Sequence, residues 1–116
     1  MQDLKNCACS GKSLPRLLRP AILSTLAKGG SHGYAMMEEL RCLSVVGDRV
    51  PDHAGVYRML QVMEKEGLVA SDWKCPESGP AKRHYHLTAR GRACLQRWKR
   101  TLGEYRHTID MLLKSL

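Results

Sequence analysis

Pro51-Asp-His-Ala-Gly-Val-Tyr-Arg-Met-Leu-Gln-Val-Met-Glu-Lys-Glu-Gly-Leu-Val-Ala-Ser71 is the stretch that decides how the chain is read. Val56, Leu60 and Met63 recur at helical spacing behind Pro51-Asp52, and Gly67 closes the run. The pattern predicts one amphipathic helix from about His53 to Glu66. The face opposite the apolar stripe carries His53, Arg58, Gln61 and Lys65, and Gly55 in the first turn lets the backbone come close to whatever lies outside. A short helix with a basic, donor-rich face fits a DNA major groove.

Upstream, Leu14, Leu17, Leu18, Ala21, Ile22 and Leu26 have helical spacing, with Pro15 in the first turn and Pro20 either kinking the helix or marking its true start. Lys28-Gly29-Gly30 ends it. Ser31 is expected to cap a second helix whose buried stripe is Tyr34, Met37, Leu40 and Leu43, leaving Glu38, Glu39 and Arg41 outside. Residues 44–51, with Gly47-Asp48, read as a loop. Downstream of Gly67, Leu68 to Trp73 reads as a strand, and Arg83 to Leu87 as a second with Tyr85 and Leu87 on one face. The segment between them, Cys75 to Lys82, holds two prolines, a glycine and a basic end, so the hairpin has a long tip. Three helices followed by a hairpin with a basic tip is the order of a winged helix-turn-helix, a mainly α fold with a small β hairpin.

The last 28 residues are a separate signal. Thr88 can cap a helix in which Leu95, Trp98, Leu102, Tyr105, Ile109, Leu112 and Leu116 alternate at spacings of three and four. At 1.5 Å per residue it is about 40 Å long, too long for so small a domain to cover. The simplest partner is the same helix of a second copy.

The composition agrees with this division. At 116 residues the chain is one domain with a modest core. It divides into an arm over residues 1–13, which is expected to be flexible, a winged helix-turn-helix over 14–88 and a dimerisation helix over 89–116. The formal charge is +8, and residues 81–107 hold eight lysines and arginines against Glu104 alone. Such a stretch suggests an anionic partner, nucleic acid or a membrane surface. No apolar run approaches a transmembrane helix, and Met-Gln-Asp-Leu-Lys-Asn is not a signal peptide, so a cytoplasmic protein is expected. Five cysteines, with Cys7 and Cys9 too close to bridge easily, do not make a secreted disulfide framework.

Several of these segments carry a resemblance. Arg19-Pro20-Ala21-Ile22-Leu23, His32-Gly33-Tyr34, Val56-Tyr57-Arg58-Met59-Leu60 and Glu64-Lys65-Glu66-Gly67-Leu68-Val69 resemble the PadR family of bacterial transcriptional regulators. The stretch from Gly79 to Gly91 is similar to the PadR wing, second strand and start of the final helix. The resemblance implies a homodimeric winged-helix repressor of the smaller PadR subgroup, whose third helix and wing contact promoter DNA and whose C-terminal helix dimerises. Where PadR proteins often have Pro-Gly before the recognition helix, this chain has His53-Ala54, with Gly55 one position later. The Cys-x-Cys arm lies outside the shared region.

The candidate DNA contacts are Ser31, His53, Gly55, Tyr57, Arg58, Gln61, Lys82 and Arg83. Arg58 leads on the recognition helix, and Lys82 and Arg83 suit a minor groove or a phosphate. Tyr57 flanks the apolar stripe and can pack while its hydroxyl reaches a phosphate. The plain alternative for each is a solvated surface. Ser31, His32 and Gly33 stand at a helix start, where backbone donors hold phosphates; their architectural reading is a cap, a local hydrogen bond and close helix packing. Trp98 on the seam is ordinary core, or, because some PadR-like regulators bind flat aromatic molecules between dimerisation helices, it lines a pocket with Leu95, Leu102 and Tyr105. Cys7 and Cys9 suit zinc or another thiophilic metal only with further ligands such as Cys42, Cys75, Cys94 or a histidine; the alternatives are redox sensing and a plain reduced arm. His84 and His86 share a strand face, which alternation in a half-exposed strand explains. No phosphate-binding glycine loop and no HExxH motif is present, so an enzyme is not expected. The expectation is a regulator that binds an inverted-repeat duplex as a homodimer and is released by a small aromatic effector. The competing reading is a winged-helix module that binds another protein.

Overall fold

The computed structural model describes residues 17–43, 53–75 and 79–116. Cys7, Cys9, Pro15, the Gly47-Asp48 loop and tip residues 76–78 lie outside the described residues, as do the side chains of Cys42 and Leu43. The elements are α1 (Leu18–Ala27), β1 (Ser31–His32), α2 (Gly33–Leu43), α3 (His53–Lys65), β2 (Val69–Lys74), β3 (Lys82–Leu87) and α4 (Ala89–Ser115).

Pro20 is the third residue of α1, where the backbone nitrogen has no acceptor inside the helix, so the proline marks the start and does not kink it. The entry into α2 differs from expectation. Ser31 does not cap it; with His32 it forms β1, and its hydroxyl donates to the His32 carbonyl at 3.2 Å. The cap is His32, whose Nδ1 accepts from the Ala35 amide at 3.3 Å. A two-residue strand has no sequence period and so is not expected from the sequence; its pairing with β3 turns the expected hairpin into a three-stranded antiparallel sheet of order β1-β3-β2. Ser31 pairs with Tyr85 and His32 with His84 on one side of β3, while Val69 to Lys74 run against Leu87 to Lys82 on the other.

α3 ends as its glycine requires. Gly67 takes φ +79°, its amide donates to the Glu64 carbonyl at 3.0 Å, and the Leu68 amide donates to the Met63 carbonyl at 2.9 Å. This is a Schellman motif, with buried Met63 and Leu68 forming its apolar contact. α4 is then rooted on the same turn. The Thr88 hydroxyl donates to the Gly67 carbonyl at 2.6 Å and accepts from the Gly91 amide at 3.0 Å. Gly91 lies against the Leu68 carbonyl so closely that any side chain there would collide with backbone.

One core unites these elements: Ile22, Leu23 and Leu26 of α1, Met36, Met37 and Leu40 of α2, Val56, Leu60 and Met63 of α3, with Tyr85 and Leu87 of β3. Removing one such side chain down to alanine costs about 2–5 kcal/mol. Tyr34, expected in the α2 stripe, is 65% exposed, and the described buried residues of the helix are Gly33, Met36, Met37 and Leu40.

Candidate nucleic-acid interface

On α3 the buried stripe faces inward and His53, Tyr57, Arg58, Gln61 and Lys65 are exposed, with Gly55 half-buried in the first turn. Arg58 and Gln61 are one turn apart and Lys65 one turn further, so the three share a face. Among the described residues no ion pair engages Arg58 or Lys65. The helix thus presents two cations and an amide, the donor set that reads guanine and adenine edges or holds phosphates.

Two aromatic contacts join this face to α2. The Tyr57 ring end lies where a Gly33 side chain would start. His53 stacks on exposed Tyr34, ring centroids 5.9 Å apart. Ser31 lies half-buried in β1, away from a capping role but still beside the start of α2.

In the wing, strand alternation separates the two expected cations. Lys82 is exposed on the outer face with no ion pair among the described residues. Arg83 lies on the other face and is already engaged: Nη2 meets Glu64 at 3.1 Å, Nε donates to the Ser71 hydroxyl at 2.9 Å, and the guanidinium lies 5.8 Å from the Trp73 ring and 5.9 Å from that of Tyr85. Ser71 in turn donates to Glu64. A carboxylate on α3, a hydroxyl on β2 and a guanidinium on β3 therefore fix the wing relative to the recognition helix. Burial pushes the Tyr85 phenol up in pKa.

A second tie lies at the far end of α3. Both Nη atoms of Arg19 meet the Glu66 carboxylate, at 2.5 and 3.0 Å. The donated hydrogen bonds hold Glu66 below the usual carboxylate range and raise Arg19 above its ordinary value. This pair rims an open concavity of about 630 Å³ on α4, which also includes Arg90, Cys94, Arg97 and Trp98. Leu95 and Trp98 pack partly on the core of their own chain, whereas Tyr105, Ile109, Leu112 and Leu116 are 54–90% exposed along the outer part of the helix.

Residues 22–97 match the transcriptional regulator PadR-like family. The chain belongs to that family. Its fold is similar to a PadR family regulator of hypervirulent Clostridium difficile R20291, at TM-score 0.74 and 22% identity, over 84% of this chain and 98% of that one. A PadR-like regulator of Bacillus cereus aligns at TM-score 0.71 and 26% identity, over 88% of this chain and 96% of that one. Bacillus subtilis PadR, solved in complex with operator DNA, aligns at TM-score 0.63 and 26% identity, over 72% of this chain and 47% of that one. Comparison with curated proteins gives no match. PadR membership accounts for the winged helix-turn-helix and the long last helix. No helix among the described residues is long and apolar enough to cross a membrane.

The sequence marked Arg83 as a candidate contact but did not reveal the tie that joins it to Glu64 and Ser71. Glu64, Ser71 and Arg83 are separated by 7 to 19 positions and carry no periodic signal. Cross-strand pairing of Trp73 with Arg83 was the one available hint, because a cation and an aromatic on facing strands attract.

Proposed function

We propose that the protein is a homodimeric transcriptional repressor of the cytoplasm that binds an inverted-repeat operator, with a winged helix-turn-helix over residues 14–88 and dimerisation through 89–116. The observation that carries this reading is the exposed face of α3, where Arg58, Gln61 and Lys65 project together from a helix fixed on its other side by the core. Arg58 and Gln61 read base edges, with Gly55 and His53 in the first turn. Lys82, Tyr57 and Ser31 hold phosphates, and Arg83 acts from the wing it positions. The likeness to a relative solved on operator DNA supports the same direction.

Dimerisation sets the spacing. Two recognition helices must reach successive major grooves about 34 Å apart. A planar aromatic effector seated beside Trp98, Leu95, Leu102 and Tyr105 would alter the angle between paired α4 helices and release the operator. Cys7 and Cys9 supply a second input if they bind zinc or another thiophilic metal.

Selection from random duplex DNA at physiological salt tests the reading, with zinc plus reductant in one arm and chelator in the other. An enriched inverted repeat with half-sites one turn apart is expected. Absence of enrichment in both arms would favour the protein-binding alternative. Titrating planar aromatics against Trp fluorescence in Trp73→Phe protein isolates the response of Trp98.

A further inference from the structure

The outer face of the wing sheet carries Asp72, His84 and His86, whose ligand atoms all lie within 4.8 Å of one another. Asp72 sits directly across from His84 in the β2–β3 register, and His86 is two residues along the same strand, so all three point away from the core. We propose that these side chains form a binding site for a divalent transition-metal ion of the zinc type.

The donor set suits that chemistry. Two imidazoles and one carboxylate are a common three-ligand arrangement for zinc and other first-row cations, and they leave one or more positions open. Metal bonds of about 2.0–2.2 Å require exposed Asp72 and His86 to turn toward half-buried His84. The site is also partly ordered beforehand. The His84 ring lies over Gly30, where a side chain would sit 3.1 Å from both ring nitrogens, so the glycine leaves room for this imidazole.

His32 faces His84 from β1 and lines the same side of the sheet, yet it is not a fourth ligand. Its Nδ1 accepts from the Ala35 amide, so the neutral ring carries its proton on Nε2 and has no lone pair left for a metal. The competing cation is Lys74, 3.6 Å from Asp72 in an exposed pair that is worth little and is readily displaced. A bound ion would link β2 to β3 at the base of the wing and add positive charge beside Lys82.

The experiment uses untagged full-length protein carrying Cys7→Ser and Cys9→Ser, stripped with chelator, desalted and titrated with cobalt(II) or zinc(II) without DNA. One equivalent per chain is expected, with a cobalt spectrum that lacks a sulfur-to-metal charge-transfer band. His86→Gln and Asp72→Asn alter exposed positions and leave the fold intact by circular dichroism; each is expected to weaken binding at least about tenfold. Failure to bind the ion, a sulfur-to-cobalt band, or affinity unchanged in both variants would overturn the proposal. Because no DNA is present, the result is independent of the operator reading.

Discussion

The ring end of Tyr57 on α3 occupies the space in which a side chain at Gly33 of α2 would begin, with Cζ 2.5 Å and Cε1 2.8 Å from that point. The second and third helices therefore meet through a glycine and a phenol, and the contact sets how far Tyr57 projects from the recognition face. Gly33→Ala is expected to lose about 1–3 kcal/mol of stability, the usual cost of overpacking. Adding Tyr57→Ala should restore part of that loss. Denaturant titration of the single and double variants checks the coupling, and additive losses would show that the two positions do not interact.

The same pair explains one misreading of the sequence. Periodicity weighs large apolar residues, so it gave Tyr34 a buried place that belongs in the first turn to Gly33, a residue without a side chain. Val56, Leu60 and Met63 were legible because a complete stripe and a terminating glycine lie within one short segment, and Thr88 because a cap stands directly before its helix. β1 was not legible, since two residues show no alternation and its pairing is with β3, far along the chain. Among the site residues, exposure of Arg58 and Gln61 followed from helix phase, and that of Lys82 from its place at the basic end of the hairpin tip, although β3 begins at Lys82, one residue earlier than expected. The engagement of Arg83 did not, because it depends on where α3 and β2 lie in space.

Lys82 and Arg83 are adjacent in sequence and differ in engagement, so they are expected to differ in function. Lys82→Ala removes a charge that has no ion-pair partner among the described residues, so weaker binding to all duplexes is expected, with a salt slope shallower by about 0.9 per lost phosphate contact. Arg83→Ala removes a charge already balanced by Glu64. Its expected signature is weaker binding with a nearly unchanged slope, accompanied by a lower melting temperature as the wing loses its tie to α3. Fluorescence anisotropy at several salt concentrations separates the two, and equal slopes for both variants would contradict the assignment.

Arg58 is expected to control sequence preference. If it forms a bidentate contact with a guanine edge, Arg58→Ala costs about 1–3 kcal/mol on the preferred operator and relaxes selection at one base pair per half-site. Repeating the selection with this variant reads both effects. Uniform weakening without altered preference would reassign Arg58 to the phosphate backbone.

The Arg19–Glu66 pair predicts part of the response to acid. Glu66 has a depressed pKa in the folded chain, so its contribution is complete above the ordinary carboxylate range and is lost as pH falls through the lowered folded value. Arg19, raised from an already high value, stays charged throughout. Glu66→Gln should therefore be slightly less stable than the parent at neutral pH and converge with it in acid. The pair is solvent-exposed, so the difference is small. Thermal unfolding from neutral pH to below the carboxylate range would show it, and a constant gap at every pH would exclude the linkage.

Along the outer part of α4, Tyr105, Ile109, Leu112 and Leu116 are at least half exposed while Leu95 and Trp98 near its root rest on the core. A helix of 27 residues with such a stripe is stable in water only if something covers its far end. The 3,4 spacing matches a seam between two copies. Leu112→Glu places a charge in that seam without touching α3 or the wing, so it should yield a folded monomer by sedimentation equilibrium. Two linked half-site contacts then become one, and affinity for the inverted repeat should fall at least about 100-fold while binding to an isolated half-site is unchanged. A Leu112→Glu dimer would place the interface elsewhere on the chain. A monomer with undiminished operator affinity would instead mean that each subunit binds its half-site independently, and the α4 helices would then have no part in setting operator spacing.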